Sequence, residues 1–386
     1  MRICLVYDCL FPYTVGGAER WYRNLGEHLA ADGHDVTYIT MRQWERGRRG
    51  EVPGVSVVTV APRMALYTRS GRRRVSQAIV FGLGVLWHLL RRGRRYDVVH
   101  TASFPYFSLL AAGAVQPLAR FQLVVDWHEV WSSSYWNEYL GRVGGRIGLA
   151  VQALCLRIPQ RAFCFSRLHA RRLREGGLRG EVAVLEGEYA GSLDAREPLP
   201  AEPVVVFAGR HIPDKRAPAI VPAVAVLRRT QPAARCVIFG DGPERERVQR
   251  LVHDLGLGGV VSVPGFVSAP EVERALRAAA CMVLPSRREG YGMVVVEAAS
   301  VGTPSVVVRD ADNAATELIE EGVNGFVAPS ASPEDLAAAI AQVMAGGMEL
   351  RRSTAAWFTA HARRLSLASS VEHVSQVYSA DSRERF

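Results

Sequence analysis

Residues 204–215 have the sequence VVVFAGRHIPDK, and this stretch indicates the fold of the chain. Residues 204–208 are apolar and mostly β-branched, which is typical of a parallel strand buried on both faces. A loop follows that contains a glycine and the cations Arg210 and Lys215. Because ligands of parallel sheets bind beyond the carboxyl ends of the strands, the stretch predicts an anion site on an α/β domain.

Apolar runs of the same kind recur on both sides of this stretch, separated by longer segments with helical patterning. Strands separated by helices of this length predict mostly parallel sheets with helices on both faces. A chain of 386 residues exceeds the usual size of one domain, so we expect two. The predicted strands are residues 3–7, 36–40, 55–60, 98–101, 123–126, 204–208, 235–239, 260–263, 280–284, 305–308 and 325–327.

A polar stretch at residues 193–203 contains three prolines and interrupts the alternation. Such a stretch is typical of a linker between domains. We therefore expect an N-terminal Rossmann-like domain at residues 1–195 and a second one at residues 203–359. Two such sheets that face each other would place the ligand in the cleft between them.

The net charge of +9 comes almost entirely from arginine and is concentrated around the apolar residues 75–90. These 16 residues are short for a membrane span. They fit a buried helix with solvated basic ends, or a face that rests on anionic lipid or an anionic acceptor. No zinc finger, RNA-binding signature or interleaved aromatic pattern accompanies them, so we expect no nucleic-acid partner. The flanking arginines are Arg72, Arg73, Arg74, Arg91, Arg92, Arg94 and Arg95.

The six cysteines are scattered, and no pair has the spacing of a zinc site or a redox motif. Buried free thiols in a reducing cytoplasm are the expectation. The first residues predict a strand rather than a signal peptide. We expect a cytoplasmic protein, with peripheral contact at the inner face of the membrane as the alternative.

Lys215 is the only lysine among the 47 Lys and Arg residues. A compact ammonium fits a phosphate as a point charge, whereas the planar guanidinium of arginine needs more room. Together with Arg210 it could converge on a diphosphate and stabilise it as a leaving group without a metal. A surface lysine left by chance is the alternative.

Residues 289–297, EGYGMVVVE, place two carboxylates eight positions apart, between a strand and a helix. Carboxylates accept hydrogen bonds from sugar or ribose hydroxyls. Gly290 and Gly292 would let backbone N–H groups approach a phosphate at the helix N-terminus. The alternative is a helix that Glu289 merely caps.

The N-terminal half offers weaker candidates. Gly16 and Gly17 follow the first strand, where adjacent glycines permit close approach of a phosphate or sugar, although the dinucleotide-binding spacing is absent. His128 ends another strand beside a carboxylate and could bond a sugar; a structural histidine is the alternative. His100 and Tyr13 are the weakest candidates, for contact with an acceptor.

Taken in order, these elements resemble the family 4 glycosyltransferases, which are retaining enzymes of the two-domain GT-B fold. The resemblance extends over nearly the whole chain, and the Glu-x7-Glu segment is its most specific part. It rests on residues 15–19 (VGGAE), His128, residues 209–215, residues 239–243 (FGDGP) and residues 289–297.

The resemblance implies that Arg210 and Lys215 bind the diphosphate of a nucleotide-sugar donor, most naturally of the UDP or GDP type. It implies that Glu297 holds the nucleotide ribose and that Glu289 holds the transferred sugar. Backbone amides of the segment Gly290, Tyr291, Gly292 and Met293 would also contact the donor.

The resemblance further implies that Gly17 lies near the phosphate and that His128 bonds a sugar hydroxyl near the reacting carbon. It implies front-face attack, in which the leaving phosphate helps remove the acceptor's proton. We expect no metal or other cofactor. A C-terminal helix at about 360–386 would pack back on the first domain. Two departures from the family pattern are the sequence EGEY at residues 186–189 and Glu129 after His128.

Three alternatives stay open: a nucleotide-sugar epimerase of the same fold, a phosphorylase, and a non-catalytic nucleotide-sugar-binding protein. The acceptor hydroxyl could belong to a glycan, a lipid-linked molecule or a small molecule. The aromatic run at residues 131–139 could stack on a sugar, cover the cleft or form a packed helix face.

Overall fold

The structure, a computed structural model, describes residues 1–45, 47–66, 68, 73–194 and 196–383, with side chains up to residue 379. Arg72 of the basic flank and residues 384–386 of the predicted C-terminal helix lie outside the described residues. The chain forms two compact units. The first contains the described residues up to 188 and those from 368 onwards, and the second contains Tyr189–Leu367.

The first unit is built on seven parallel strands: β1 (Arg2–Val6), β2 (Asp35–Met41), β3 (Ser56–Ala61), β4 (Val98–Ala102), β5 (Gln122–Trp127), β6 (Gln160–Cys164) and β7 (Gly180–Val184). Their order in the sheet is β3-β2-β1-β4-β5-β6-β7. The connecting helices are α1 (Gly17–Ala31), α2 (Val75–Arg92), α3 (Tyr106–Ala119), α4 (Ser133–Leu156) and α5 (Arg167–Glu175).

The second unit has a six-stranded parallel sheet and a two-stranded one. Its strands are β8 (Glu202–Ala208), β9 (Arg235–Phe239), β10 (Val261–Gly265), β11 (Ala279–Leu284), β12 (Arg288–Glu289), β13 (Ser305–Val308), β14 (Asp312–Asn313) and β15 (Gly325–Ala328). The main sheet has the order β10-β9-β8-β11-β13-β15, and β12 pairs with β14. Its helices are α6 (Ile220–Leu227), α7 (Arg245–Asp254), α8 (Ala269–Ala278), α9 (Met293–Ser300) and α10 (Pro333–Leu365).

Short 3-10 helices lie at Gly93–Arg95, Pro213–Lys215, Ala217–Ala219 and Ala314–Leu318. The final helix, α11 (Leu367–Arg383), belongs to the first unit from residue 368 onwards. The predicted linker residues 193–203 fall within the second unit, apart from Ala195, which lies outside the described residues.

The predicted fold class is confirmed, because both units are α/β with parallel sheets in the doubly wound order. The sequence prediction missed four strands. β6 and β7 begin with the polar pairs Gln-Arg and Gly-Glu, which leave too few consecutive apolar residues to be distinguished from loops. β12 and β14 have two residues each and exist through the contact between two loops.

Helices α2, α3 and α4 cover one face of the first sheet and supply much of its core. Phe81 and Val85 of α2 pack in one cluster with Leu109 of α3 and Trp136 of α4. The aromatic run at residues 131–139 is part of this core: Trp131, Tyr135 and Trp136 are buried and pack on one another. This is the packed face, and not a stacking platform for a sugar. All six cysteines are buried and free.

Arg351 joins α10 to the second sheet from inside the protein. Its guanidinium donates to the carbonyl oxygens of Ala279 at 2.5 Å and Arg277 at 2.8 Å. Only 2% of the residue is exposed, and burial lowers the pKa of the guanidinium. The contact with Ala279 is buried and that with Arg277 is partly buried, so this side chain supplies donors where access to water is limited.

We expect Arg351→Ala to lower the free energy of unfolding of the second unit by about 2–4 kcal/mol, because a buried and a partly buried carbonyl oxygen lose their donor. Urea unfolding followed by tryptophan fluorescence measures the change. The matched control is Arg352→Ala, because Arg352 is exposed; its effect should stay within about 0.5 kcal/mol. Equal effects of the two variants would contradict the anchoring role of Arg351.

Candidate functional site

Glycines let two loops of the second unit meet at the carboxyl edge of its sheet. After β8, the N–H of His211 donates to the carbonyl of Asp241 at 2.8 Å, and the N–H of Glu244 donates to the carbonyl of His211 at 2.8 Å. Gly240 has a φ of +115°, and a Cβ there would lie 1.9 Å from the carbonyl oxygen of Gly209. Only glycine permits that approach, so the loops after β8 and β9 lie side by side.

Asp214 joins the loop after β8 to the loop after β11. Its carboxylate accepts from Arg288 at 2.8 Å and from Arg287 at 3.3 Å. The N–H of Arg287 donates to the carbonyl of Asp214 at 2.8 Å. The Asp214 side chain is largely buried. Charge-assisted bonds that are shielded from water hold such loops more firmly than exposed ion pairs do.

Lys215 and Glu289 form the centre of this edge. The ammonium Nζ of Lys215 lies 2.5 Å from Oε1 of Glu289, and the hydroxyl of Ser286 donates to the same oxygen at 2.7 Å. The Glu289 side chain is 8% exposed and that of Lys215 is 20% exposed. The lone lysine and the first carboxylate of the glutamate pair therefore occupy one half-buried site.

Asn313 positions the backbone that carries Glu289. Its side-chain N–H groups donate to the carbonyls of Ser286 at 3.0 Å and Val308 at 2.8 Å. Its side-chain oxygen accepts from the N–H of Ala315 at 3.0 Å. β12 then pairs with β14, which aligns Glu289 with Asn313. Both residues are buried, so the amide is satisfied on three sides.

The other predicted donor residues lie along the same two loops. Arg210 is exposed, in the loop that also carries Lys215. Gly292 has a φ of +105° and precedes the first residue of α9, and Glu297 lies half-buried within that helix. The structure therefore places these predicted residues in or beside the loops after β8 and β11: Arg210, Lys215, Glu289, Gly290, Tyr291, Gly292, Met293 and Glu297.

A buried polar network crosses the first unit. The Asp126 carboxylate accepts from the indole N–H of Trp21 at 2.7 Å and lies 2.8 Å from Nε2 of His100. The hydroxyl of Tyr378, on α11, lies 2.6 Å from Nδ1 of His100. Burial alone would raise the pKa of Asp126, but His100, His128 and Trp21 together bring that pKa below its ordinary value. The network thus holds a carboxylate charge inside the protein.

His128 follows β5 and lies against Phe165, with ring centroids 4.8 Å apart and an interplanar angle of 6°. Its Nε2 is buried and has no hydrogen-bond partner within the described part of the chain. Burial, partly offset by Asp126 and reinforced by His100, lowers the pKa of His128 to about 4. The ring is therefore neutral near pH 7.

The remaining candidates of the first unit differ in exposure. Gly16 precedes α1 and Gly17 begins it; a Cβ at Gly16 would lie 2.3 Å from a carboxylate oxygen of Glu19. Tyr13 is exposed beside Trp44. His100 is fully buried, and its two ring nitrogens face Tyr378 and Asp126. It is part of the buried network and has no exposed surface for the predicted contact with an acceptor.

Sequence reasoning missed Asp214, Ser286, Asp126 and Tyr378. Asp214 was visible beside Lys215, and its position in a cationic loop was a usable signal. Nothing in the local sequence links Tyr378 to His100, because 278 positions separate them. Within the described residues, no group of three or more His, Cys, Asp or Glu side chains is placed to hold a metal ion.

Two family models match the chain. Residues 15–187 match the model of Glycosyltransferase Family 4, and residues 194–356 match that of Glycosyl transferases group 1. An uncharacterised glycosyltransferase of Methanocaldococcus jannaschii is 30% identical, over 89% of each chain.

Other relatives match over less of their length. The chain is 32% identical to an alpha-D-kanosaminyltransferase of Streptomyces kanamyceticus, over 39% of each protein. It is 30% identical to a GDP-mannose-dependent alpha-(1-6)-phosphatidylinositol monomannoside mannosyltransferase of Mycobacterium tuberculosis, over 39% of this chain and 41% of that protein. The chain thus spans about two fifths of the length of these curated relatives.

Two solved structures show the same fold at low identity. A sucrose-phosphate synthase from Thermosynechococcus elongatus superposes with a TM-score of 0.80 and 21% identity, over 98% of each chain. Anabaena HepE in complex with UDP and glucose superposes with a TM-score of 0.73 and 18% identity, over 98% of this chain and 99% of that one.

We expect the His128 ring to stay neutral at pH 5, because burial lowers its pKa from the ordinary 6.5 to about 4. The unfolded chain takes up the proton first, so this residue makes the folded state lose stability as the pH falls from 6.5 towards 4. Histidine NMR titration measures the midpoint, and His128→Gln identifies the signal. A midpoint at or above 6.5 would contradict the burial effect.

Proposed function

We propose that this chain, which belongs to the family 4 glycosyltransferases, moves a sugar from a nucleoside diphosphate to a hydroxyl group and retains the anomeric configuration. The observation that carries the proposal is the 2.5 Å contact between Lys215 and Glu289. An ammonium suits a phosphate and a carboxylate suits a sugar hydroxyl. The two groups would act on adjoining parts of one donor, in which a sugar is bonded to a phosphate.

Lys215 is proposed to bind the diphosphate. Within the described residues, the Lys215 ammonium forms an ion pair with one carboxylate oxygen of Glu289, and that oxygen also accepts a hydrogen bond from Ser286. A diphosphate would add a larger negative charge beside it, and Arg210 lies in the same loop to bind the exposed side of that anion. Both cations would favour the diphosphate further as it leaves the sugar, because negative charge grows on it at that moment. We propose that no metal is needed for this.

The nucleotide is proposed to lie along α9. Gly292, just before the helix, has a left-handed φ that turns the chain into it. Helix N-termini attract anions through free N–H groups, which suits the amides of Gly290 to Met293 to a phosphate. Glu297, further along α9, is proposed to accept hydrogen bonds from the ribose hydroxyls.

Glu289 and His128 are proposed to hold the transferred sugar. Glu289 stays fixed by its contacts with Ser286 and Lys215. His128 is neutral near pH 7, so its unpartnered Nε2 suits a bond to a sugar hydroxyl better than proton donation. This assigns the imidazole an orienting role.

The proposed step breaks the bond between the anomeric carbon and the phosphate oxygen. The acceptor oxygen bonds to the anomeric carbon on the face that the phosphate leaves. The departing phosphate oxygen takes the proton of the acceptor hydroxyl, so charges and atoms balance without a separate base. The protein's part is to orient both substrates and to stabilise the leaving diphosphate.

Donors of the UDP or GDP type are proposed, because HepE was solved with UDP and glucose and a mycobacterial relative is described as GDP-mannose-dependent. The proposed acceptor is a hydroxyl group of a glycan, a lipid-linked molecule or a small molecule.

Lys215→Ala should weaken nucleoside-diphosphate binding roughly 10- to 100-fold, because a charge-assisted contact with the phosphate is lost. Calorimetry with UDP, GDP, ADP and dTDP measures the affinity and also selects the base. The matched control is Arg235→Ala, because Arg235 pairs with Glu202 at the amino ends of β8 and β9; its affinity should equal that of the wild type. Unchanged affinity in Lys215→Ala would remove the basis of the proposal.

A transfer assay with the selected nucleotide sugar should give a glycoside with the anomeric configuration of the donor, as read by NMR coupling constants. An inverted product would refute the front-face step. An isomerised donor would identify an epimerase, and binding without turnover of any hydroxyl acceptor would favour a non-catalytic binder.

A further inference from the structure

One segment of the first unit has charged side chains of one sign only, the positive one. Residues 52–96 contain nine arginines and no aspartate or glutamate. This segment includes all of α2. The exposed arginines at the end of α2 and just after it form no ion pair with an acidic side chain in the part of the chain that the structure describes. They are Arg91, Arg92, Arg94 and Arg95. Within the described residues, no acidic side chain neutralises the charge of these four arginines, whereas Arg73 of the same segment pairs with Asp8.

Helix α2 has apolar residues on its exposed face as well as on its buried one. Phe81, Val85 and Leu89 face the core. An outward stripe with helical spacing contains Val75, Ile79, Leu83, Trp87 and Leu90, and Leu83 and Trp87 are 60% and 61% exposed. A helix that only covered a sheet would carry polar residues on that side. The exposed stripe therefore needs another explanation.

Helix α4 carries a second outward stripe. Val143 is 73% exposed and Ile147 is 60% exposed, and Leu154 continues the line. Helix α3 packs against both α2 and α4, and its Leu118 is exposed as well. The single acidic residue in the three helices is Glu138. We call the solvent-facing side of α2, α3 and α4 the apolar-basic face.

The arginines adjoin the apolar stripes. Arg91 follows the α2 stripe, and its guanidinium lies over the ring of Trp87. Exposed Arg142 and Arg146 lie within α4, next to Val143 and Ile147. An apolar strip bordered by arginine, with a tryptophan at its edge, matches the layering of a bilayer surface, where hydrocarbon lies beneath phosphates.

We propose that the apolar-basic face binds the surface of an anionic lipid bilayer. The apolar stripes enter the headgroup region, and the arginines bind lipid phosphates. None of the described helices is long and apolar enough to cross a membrane, so the contact is with one leaflet. The proposal concerns attachment to lipid and is independent of the sugar transfer proposed above.

Charge favours lipid over a second copy of the chain. A two-fold dimer through this face would bring the same arginines of both copies together, and the acid-poor helices offer nothing to neutralise them. An anionic bilayer supplies the opposite charge and also accepts the apolar stripes. Electrostatic attraction to lipid is worth a factor of roughly five for each arginine near the surface.

The first test is co-sedimentation of the full chain with phosphatidylcholine vesicles that contain or lack phosphatidylglycerol. We expect binding to the anionic vesicles and little to the neutral ones. Ile79→Gln/Leu83→Gln should weaken binding roughly tenfold, because exposed apolar surface is removed. Arg91→Gln/Arg92→Gln should weaken it roughly 25-fold, because each arginine contributes a factor of roughly five. Added salt should erase the difference between that variant and the wild type.

Matched controls come from the second unit. Leu255→Gln removes an exposed leucine, and Arg250→Gln removes an exposed arginine. Both should bind vesicles as the wild type does. Because all the substituted side chains are exposed, circular dichroism should show an unchanged fold in each variant.

Trp87 is a built-in reporter of the contact. The other six tryptophans are buried, at 9% exposure or less. On anionic vesicles, the emission of Trp87 should shift to shorter wavelength and be quenched by brominated lipid. Trp87→Phe should lose that response and still bind vesicles.

Three results would overturn the proposal. The first is absence of binding to phosphatidylglycerol vesicles at low salt. The second is equal binding by the stripe variant and its control. The third is a dimer in light scattering that Ile79→Gln/Leu83→Gln converts to a monomer without any vesicle binding, which would make the face a self-association surface.

Discussion

Contact between loops that follow different strands is the constraint on which the site of the second unit depends. In a parallel sheet each strand is followed by its own loop. Side chains from the loops after β8 and β11 can therefore form one site only if contacts hold these loops together. Asp214 joins them through Arg287 and Arg288, and Gly240 lets the neighbouring loop approach within backbone contact. Lys215 can then reach Glu289, although 74 positions separate them in the chain. The ion pair between Lys215 and Glu289 therefore forms because the two loops pack together. The same packing fixes the start of helix α9, which follows Glu289 in the chain.

Most of the strands and most of the candidate site residues could be predicted from the sequence. The features that could not be predicted were missed for physical reasons. Central strands such as β8 and β13 are unbroken apolar runs because they are buried on both faces, and this leaves a clear signature. The loop cations and the glutamate pair were visible because glycines and a lone lysine mark them. β6 and β7 lie towards one edge of the sheet and begin with polar residues, so their pattern is weak. The Tyr378 contact joins distant parts of the chain, and no local pattern encodes such a contact.

The buried network of the first unit explains how a carboxylate charge and a neutral imidazole can stand close together. The pKa of Asp126 stays low because Trp21 donates a hydrogen bond to its carboxylate and His100 lies 2.8 Å from it, where water cannot reach. In the part of the chain that the structure describes, Nε2 of His128 has no hydrogen-bond partner, and burial keeps the ring neutral. An imidazole with a pKa of about 4 is a poor proton donor near pH 7. It can act as a fixed dipole, which agrees with the proposed transfer step, in which the substrate's own phosphate accepts the proton.

The path of the chain makes the first unit dependent on a helix that is synthesised after the whole second unit. Residues 189–367 form the second unit, and only then does α11 add Tyr378 to His100. At ordinary translation rates these 179 intervening residues take on the order of 10 to 40 s to make, long enough for a small domain to fold. On a ribosome the second unit can therefore fold completely before helix α11, which belongs to the first unit, has been synthesised. The second unit would then finish folding before the first unit, although most of the first unit is synthesised earlier.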